Sequence, residues 1–259
     1  MNSVILQLAR RLIPGWAKRR FAPRGLDGLR LSPPVGWVRF GSLRRLEPIS
    51  RNWGADRGRA IDRFYIQRFL EQHKQDVRGR VLEIGDDAYT RRFGEGRVTH
   101  SDVLHISALP QATIVGDLAD MPHVPDDTFD CLIVTQTLQL IYDFRAAVRT
   151  CHRVLKPGGV VLATVPGITP ICHSDRWGEV WQYSFTKLSA RTMFEEVFPK
   201  AAVEVESHGN VLASIGFLHG LAMKELTTAE LEHHDRDYQL NITIRAVKEG
   251  ARPAGEVGV

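Results

Sequence analysis

Cysteine is scarce in this chain: Cys131, Cys151 and Cys172 are the three among 259 residues. They are odd in number and far apart, and none stands in a Cys-x-x-Cys or Cys/His pattern. A disulfide framework and a zinc site are both excluded as organising features. Reduced thiols packed in or near a core are expected, which points to a cytoplasmic setting. Long apolar runs are also missing, for no stretch approaches the ~20 residues that span a bilayer. Met1 to Phe21 is not read as a secretory leader, because Arg10 and Arg11 interrupt its apolar run and no small-residue cleavage site follows. No Walker loop, nucleophile elbow or nucleic-acid motif is present, and the first glycine turn lacks the GxGxxG spacing of a dinucleotide cradle.

What is present is ordinary globular composition, 43% hydrophobic and 25% charged, in a chain long enough to bury a core without staples. The net charge of +4 is unevenly spread. Residues 1–51 hold eleven Lys/Arg against Asp27 and Glu47, which makes that segment +9 and leaves −5 on the remainder. Three regions are expected: a basic, partly helical N-terminal extension over 1–51, a domain over 52–248, and a Gly/Pro-containing flexible tail over 249–259. In the extension, Val4, Ile5, Leu8, Leu12 and Ile13 share one helical face before Pro14. Its charge is expected to let it touch an anionic membrane surface or an acidic partner, peripheral to the inner face of the membrane.

From Asp56 the pattern is regular. A helix is predicted through 60–73, then short apolar runs read as strands at Arg80–Ile84, Arg97–Ser101, Thr113–Val115, Phe129–Thr135 and Gly159–Val165, with a helix at Phe144–Leu155. Strands alternating with helices imply βαβ units and a mainly parallel sheet with helices on both faces. Ala202–Glu206 and Gln239–Val247 alternate apolar and polar residues, as a half-exposed antiparallel pair at the sheet edge would. Between them an apolar helical stretch, Val211–Met223, precedes a second helix starting near Thr228.

The residues that bear chemistry follow the first strand. It runs into Glu83 and Gly85, and a glycine there lets the backbone approach a nucleoside closely. Ligands of doubly wound sheets sit at the carboxyl ends of the strands, where the order reverses. Asp102, seventeen residues beyond Gly85, is read as ending the second strand, where an acid can grip ribose hydroxyls. Asp86 and Asp87 are placed to favour a cationic group.

In this setting Val81-Leu-Glu-Ile-Gly85, His100-Ser-Asp102, Gly116-Asp117-Leu118, Asp126-Asp127-Thr-Phe129-Asp130 and Leu155-Lys-Pro-Gly-Gly-Val-Val-Leu-Ala163 stand in the order of the class I S-adenosylmethionine-dependent methyltransferases, which the chain resembles from about 79 to 166. That resemblance implies a Rossmann-like α/β fold: a mainly parallel seven-stranded sheet with an antiparallel C-terminal edge strand and helices on both faces. It also implies S-adenosylmethionine as cofactor, held by Glu83, Gly85, Asp86, Asp102, Asp117 (at the adenine amino group) and Gln136. More narrowly, Asp56-Arg57-Gly58, Ile61-Asp62-Arg63, Gly85 to Gly94 and Trp177 to Thr186 resemble methyltransferase type 11-like bacterial enzymes found alongside glycosyltransferases. This implies O-methylation of a small molecule, a carbohydrate or a glycosylated or secondary metabolite.

The chain departs from the family at Asp87 and Tyr89, where glycines are common, so a turn that has lost the cofactor is weighed against one that holds it. With no obvious general base, a non-catalytic scaffold or interaction protein is the rival reading. Candidate bases are His173 and Asp175 after the fifth strand, with His219 and His152 behind them. His233-His234-Asp235 is read as a solvated cluster, since adjacent residues rarely converge on a metal; no metal and no nucleic acid is expected. Trp177, Trp181, Tyr183 and Phe185 divide evenly between lining a ring pocket and packing on the sheet. Trp53 to Gly58, with Arg57 and Tyr65, is the candidate cover of the site.

Overall fold

The computed structural model describes residues 33–171 and 179–250. The chain divides into two compact units, 1–46 and 47–259. In the first, the described residues form a single 3-10 turn, Gly41–Leu43, with nothing buried.

The second unit is a seven-stranded sheet. In chain order the strands are β1 (Gly79–Ile84), β2 (Val98–His105), β3 (Ile114–Val115), β4 (Phe129–Thr135), β5 (Leu155–Pro166), β6 (Val203–His208) and β7 (Asn241–Val247), arranged β3-β2-β1-β4-β5-β7-β6. The first five are parallel, and the order reverses between β1 and β4. The helices are α1 (Asp62–Gln72), α2 (Ala88–Gly94), α3 (Phe144–Val154), α4 (Lys187–Glu195), α5 (Val211–Leu218) and α6 (Thr228–Glu232). This is the Rossmann-like α/β architecture of class I methyltransferases, with its antiparallel C-terminal strand.

The parallel strands β4 and β5 are near-continuous apolar runs because both of their faces are covered. On one face Leu82, Leu132, Val134, Val161 and Ala163 pack with Val148 and Val154 of α3 and Met193 and Phe194 of α4. On the other, Val81, Ile133 and Leu162 pack with Ile66, Phe69 and Leu70 of α1 and Phe93 of α2. Alternate side chains of a strand point to opposite faces, so one strand serves both cores.

The C-terminal pair differs in detail from the half-exposed pair expected. β7 is antiparallel to both neighbours and lies one position inside the edge, with β6 outermost. Only β6 shows the half-buried alternation. Within β7 the buried Thr243 meets His208 at 3.0 Å, and the half-buried Arg245 pairs with Asp76 at 2.8 Å and Glu204 at 2.9 Å.

Helix starts carry side-chain caps, each satisfying an otherwise orphaned N–H. Asp143 accepts from Ala146 N at 2.9 Å, Asn210 from Ala213 N at 2.9 Å, and Thr227 forms a capping box with Glu230. The single helix expected over Val211–Met223 stops at Leu218. Gly220 turns left-handed there, φ +69°, with its Cα against the Ser50 carbonyl, a position no side chain could take.

Candidate active site

The turn after β1 forms around Glu83. Its buried carboxylate accepts from Tyr89 N (3.1 Å), Thr90 N (2.7 Å) and Thr90 Oγ1 (2.8 Å). It thereby satisfies the free N–H groups that open α2. Burial pushes the Glu83 pKa up to about 7 against the pull of those three donors. Glu83 therefore builds the turn, with both oxygens engaged inside the fold.

Gly85 stands at the head of this turn with φ +89°, and a Cβ placed on it would meet open space. Asp86 is exposed, its Oδ1 accepting from Ala88 N at 2.9 Å. The missing glycines at 87 and 89 prove unnecessary: Asp87 has φ −113° and Tyr89 is helical. Neither needs the left-handed region, so the altered sequence leaves the turn intact.

Asp102 is a correction. β2 does not end there but continues three residues, to His105. Asp102 lies level with Leu82 in mid-strand. One oxygen accepts from Arg80 Nε at 2.7 Å and the other from Thr113 Oγ1 at 3.0 Å. The acid is an ion-pairing element of the sheet face. His105 holds the strand end instead, next to Gly85, whose N–H donates to Leu104 O at 2.9 Å. The motif His100-Ser-Asp102 signalled the right strand and the wrong end of it, because three more residues, Val103-Leu-His105, extend it.

Asp117 follows β3, exposed, its carboxylate accepting from Ala119 N at 2.9 Å. Gln136 follows β4 in left-handed backbone, φ +49°, its N–H donating to Thr164 O at 2.9 Å. Non-glycine residues held there cost about 1–3 kcal/mol and gather at functional sites. Gly85, Asp86, Asp117 and Gln136 thus share the carboxyl rim of β1, β3 and β4, while Glu83 and Asp102 do not face it. The open cradle at Gly85 beside the strand-order reversal fits a nucleoside cofactor approaching the backbone closely.

Beside this rim, at the ends of β4 and β5 and the start of β7, lies a cavity of about 450 Å³. Gln136, Gln139 and Pro166 line one side, Asn241 and Leu240 another, and Trp53, Ala55, Gly58 and Arg59 cover it. The 53–58 segment therefore lines the cavity, though not through the residues expected. Arg57 reaches away to Glu225, with Nη2–Oε1 2.6 Å, and the buried Tyr65 hydroxyl donates to Leu231 O at 3.0 Å. The aromatic stretch divides its work: Trp181 lines the cavity, while Tyr183 and Phe185 pack on the core.

His173, Asp175 and Trp177 lie outside the described residues. His152 is structural, stacked edge-on against Phe198 and 3.1 Å from Glu249. His233 and His234 are exposed, and no group of metal-ligating side chains occurs among the described residues.

Sequence reading missed Asp62, Arg63, Gln139 and Asn241. Asp62 is buried at the start of α1 with Oδ1 3.9 Å from Arg63 Nε. Burial pushes its pKa up, against the Arg63 guanidinium. Arg63 also reaches the Tyr89 hydroxyl at 3.5 Å, linking the cavity to the β1 turn. An Asn at the start of the apolar/polar run Asn241–Val247 was the one signal available for Asn241.

Comparison with known proteins agrees with this geometry. Residues 79–163 match the methyltransferase domain family. A probable S-adenosylmethionine-dependent methyltransferase of Mycolicibacterium smegmatis is 28% identical over 151 residues, 58% of this chain and 51% of that protein. The chain spans about half the length of that curated relative. Similar solved structures include a SAM-dependent methyltransferase from Archaeoglobus fulgidus (12% identity, TM-score 0.49, 73% of this chain and 95% of that one) and one from Mesorhizobium loti (19%, 0.48, 73% and 98%). Residues 79–163 thus match a methyltransferase domain, within the sheet that carries the rim described above.

Proposed function

We propose that the chain transfers the methyl group of S-adenosylmethionine to oxygen on a small molecule, a carbohydrate or a glycosylated or secondary metabolite. The observation that carries this reading is the covered cavity beside the carboxyl rim, of a size typical for small-molecule sites. In this reading Gly85 lets the backbone approach the cofactor. Asp86 offers negative charge to its cationic end, Asp117 its exposed carboxylate to the adenine amino group, and Gln136 marks the boundary with the acceptor. His105 takes the strand-end place first assigned to Asp102.

Methyl transfer from a sulfonium begins with an activated leaving group, so alignment and exclusion of water supply much of the acceleration. The covered cavity provides for both. His173 and Asp175 remain candidate bases from the segment after β5. Residues 1–51 are proposed to contact an anionic membrane surface or an acidic partner; no helix among the described residues is long and apolar enough to cross a membrane.

Calorimetry of the full chain with S-adenosylmethionine and S-adenosylhomocysteine tests the reading. Micromolar binding of either supports it. No binding by folded protein overturns it in favour of a non-catalytic scaffold.

A further inference from the structure

Eight buried side-chain polar atoms lack a hydrogen-bond partner among the described residues, and five of them belong to side chains lining the one cavity. These are Asp62 Oδ1, Gln139 Oε1, Trp181 Nε1 and both amide atoms of Asn241. They come from four separate places in the chain: the start of α1, the turn after β4, the segment before α4, and the start of β7. Leaving one such atom unpaired costs about 1–3 kcal/mol. Their concentration around a single space marks a surface made to be completed by a ligand.

The free groups describe that ligand. One indole N–H and one amide NH2 donate; two amide oxygens and one carboxylate oxygen accept. A partner must therefore both give and take hydrogen bonds at several points, as a ring bearing several hydroxyls does. The charged side chains that line the cavity are otherwise engaged: Arg63 with Asp62 and Tyr89, Arg59 with Gln67 Oε1 at 2.9 Å. Among the described residues that line the cavity, no unengaged cation is left to receive a phosphate or a uronate. The apolar walls include the broad faces of Trp53, Trp181 and Phe217, suited to the C–H face of a pyranose.

We propose that this cavity is the acceptor site, that it takes a neutral pyranose, and that Asp62 accepts the proton of the hydroxyl that is methylated. The proposal rests on the methyltransferase reading above. Asp62 stands between the two halves of the site: it lines the cavity, and its neighbour Arg63 touches Tyr89 of the β1 turn. In the transfer the acceptor oxygen bonds to the methyl carbon as the carbon–sulfur bond breaks. The electron pair of that bond goes to sulfur, giving S-adenosylhomocysteine, and the hydroxyl proton goes to Asp62 Oδ1. The charged or titratable groups around Asp62 are Arg63 on its own helix, Tyr89 on α2 and Arg59 on the covering segment. Burial raises the basicity of the carboxylate, which favours its taking a proton.

The test uses the full chain saturated with S-adenosylhomocysteine. Methyl pyranosides of glucose, mannose, galactose and rhamnose are titrated with NMR saturation transfer as readout. Transfer to the same four from methyl-labelled S-adenosylmethionine is then measured. At least one pyranoside is expected to bind saturably, at least fivefold more weakly to Asn241→Ala and Gln139→Ala, and to be methylated. Asp62→Asn should lower turnover about 100-fold or more, the usual worth of a positioned base. It should keep S-adenosylhomocysteine affinity within about threefold, which also shows that the variant folds. Binding without transfer overturns the role of Asp62 as base, as does full turnover by Asp62→Asn. Turnover that survives Asp62→Asn but fails in His173→Ala or Asp175→Asn hands the proton to the segment after β5. No pyranoside binding to protein that binds S-adenosylhomocysteine overturns the ligand class. Failure to bind S-adenosylhomocysteine at all overturns the underlying methyltransferase reading instead.

Discussion

Replacing Gly85 by alanine separates a cofactor cradle from a merely structural turn, and Gly220→Ala is its control. Both glycines hold left-handed backbone, φ +89° and +69°, a region that costs an L-residue about 1–2 kcal/mol. They differ in the space around them. A Cβ on Gly85 meets nothing within 4 Å, whereas one on Gly220 would strike the Ser50 carbonyl. Gly85→Ala should therefore lose only the backbone term, about 1–2 kcal/mol, which for a domain of this size lowers Tm by roughly 2–8 °C. Gly220→Ala adds the cost of moving packed backbone, about 1–3 kcal/mol more. Binding should run the other way. The new methyl group at 85 fills the space the cofactor needs, and affinity for S-adenosylhomocysteine should fall at least tenfold, about 1.4 kcal/mol. Folded Gly220→Ala should bind like the parent. Thermal unfolding by circular dichroism and calorimetric titration measure the two effects. Parent-like affinity in Gly85→Ala would refute the assignment of the turn.

Two further substitutions address the residues whose roles the structure changed. Asp102→Ala should destabilise the chain by about 1–3 kcal/mol, through loss of the Arg80 and Thr113 hydrogen bonds, and leave S-adenosylhomocysteine affinity within about threefold; a hundredfold loss of affinity at unchanged Tm would return the acid to the ribose. Glu83 is raised in the folded state from 4.5 to about 7, so its stabilising contribution is complete below pH 4.5 and fades as pH rises through 7. The unfolding free energy of the parent from urea titration should accordingly drop relative to that of Glu83→Gln between pH 5 and pH 8, by up to the order of 3 kcal/mol, and a difference that stays flat with pH would exclude the raised value.

Most of the fold was legible because periodicity and turn chemistry agree along the parallel strands. Phe129–Thr135 and the start of α3 at Phe144 fall where the sequence puts them. The short helices α2 and α4 were not legible. α2 depends on the Glu83 carboxylate six and seven residues upstream, and α4 presents only Ala190, Met193 and Phe194 to the core. The site was half legible. Gly85, Asp86, Asp117 and Gln136 follow from their places after strands. Asp102 misled because an acid at the right spacing does not reveal how far its strand continues. Asp62 and Asn241 come together only through tertiary packing, from α1 and β7, 179 positions apart in the chain.

The cover of the cavity is fastened to the fold at several points, and this bears on how the site opens. Ile49 N and Ser50 N donate to His219 O, Met223 N donates to Arg59 O at 2.7 Å, and Ala60 bridges Ala222. Arg57 adds a two-point pair with Glu225, whose Oε2 also accepts from Ala222 N at 2.7 Å. The backbone bonds to the rest of the fold lie at the ends of the segment, near 50 and 59; between them the Ser50 hydroxyl accepts from Gly54 N and donates to Asp56, and Arg57 supplies the ion pair to Glu225. Solvent-exposed ion pairs are weak because water screens them, so the loss of this one should cost the whole fold little. Its effect on the cover should be larger in proportion, because local opening needs only the contacts of the segment that opens. Glu225→Gln, which keeps the acceptor for Ala222 N and removes the charge, should leave Tm within about 4 °C of the parent. It should at the same time speed amide exchange at 53–58 several-fold, with exchange in β4 and β5 unchanged. Equal acceleration in the strands would mean that the segment opens only with the whole fold, and that it is a fixed wall of the cavity with no gating of its own.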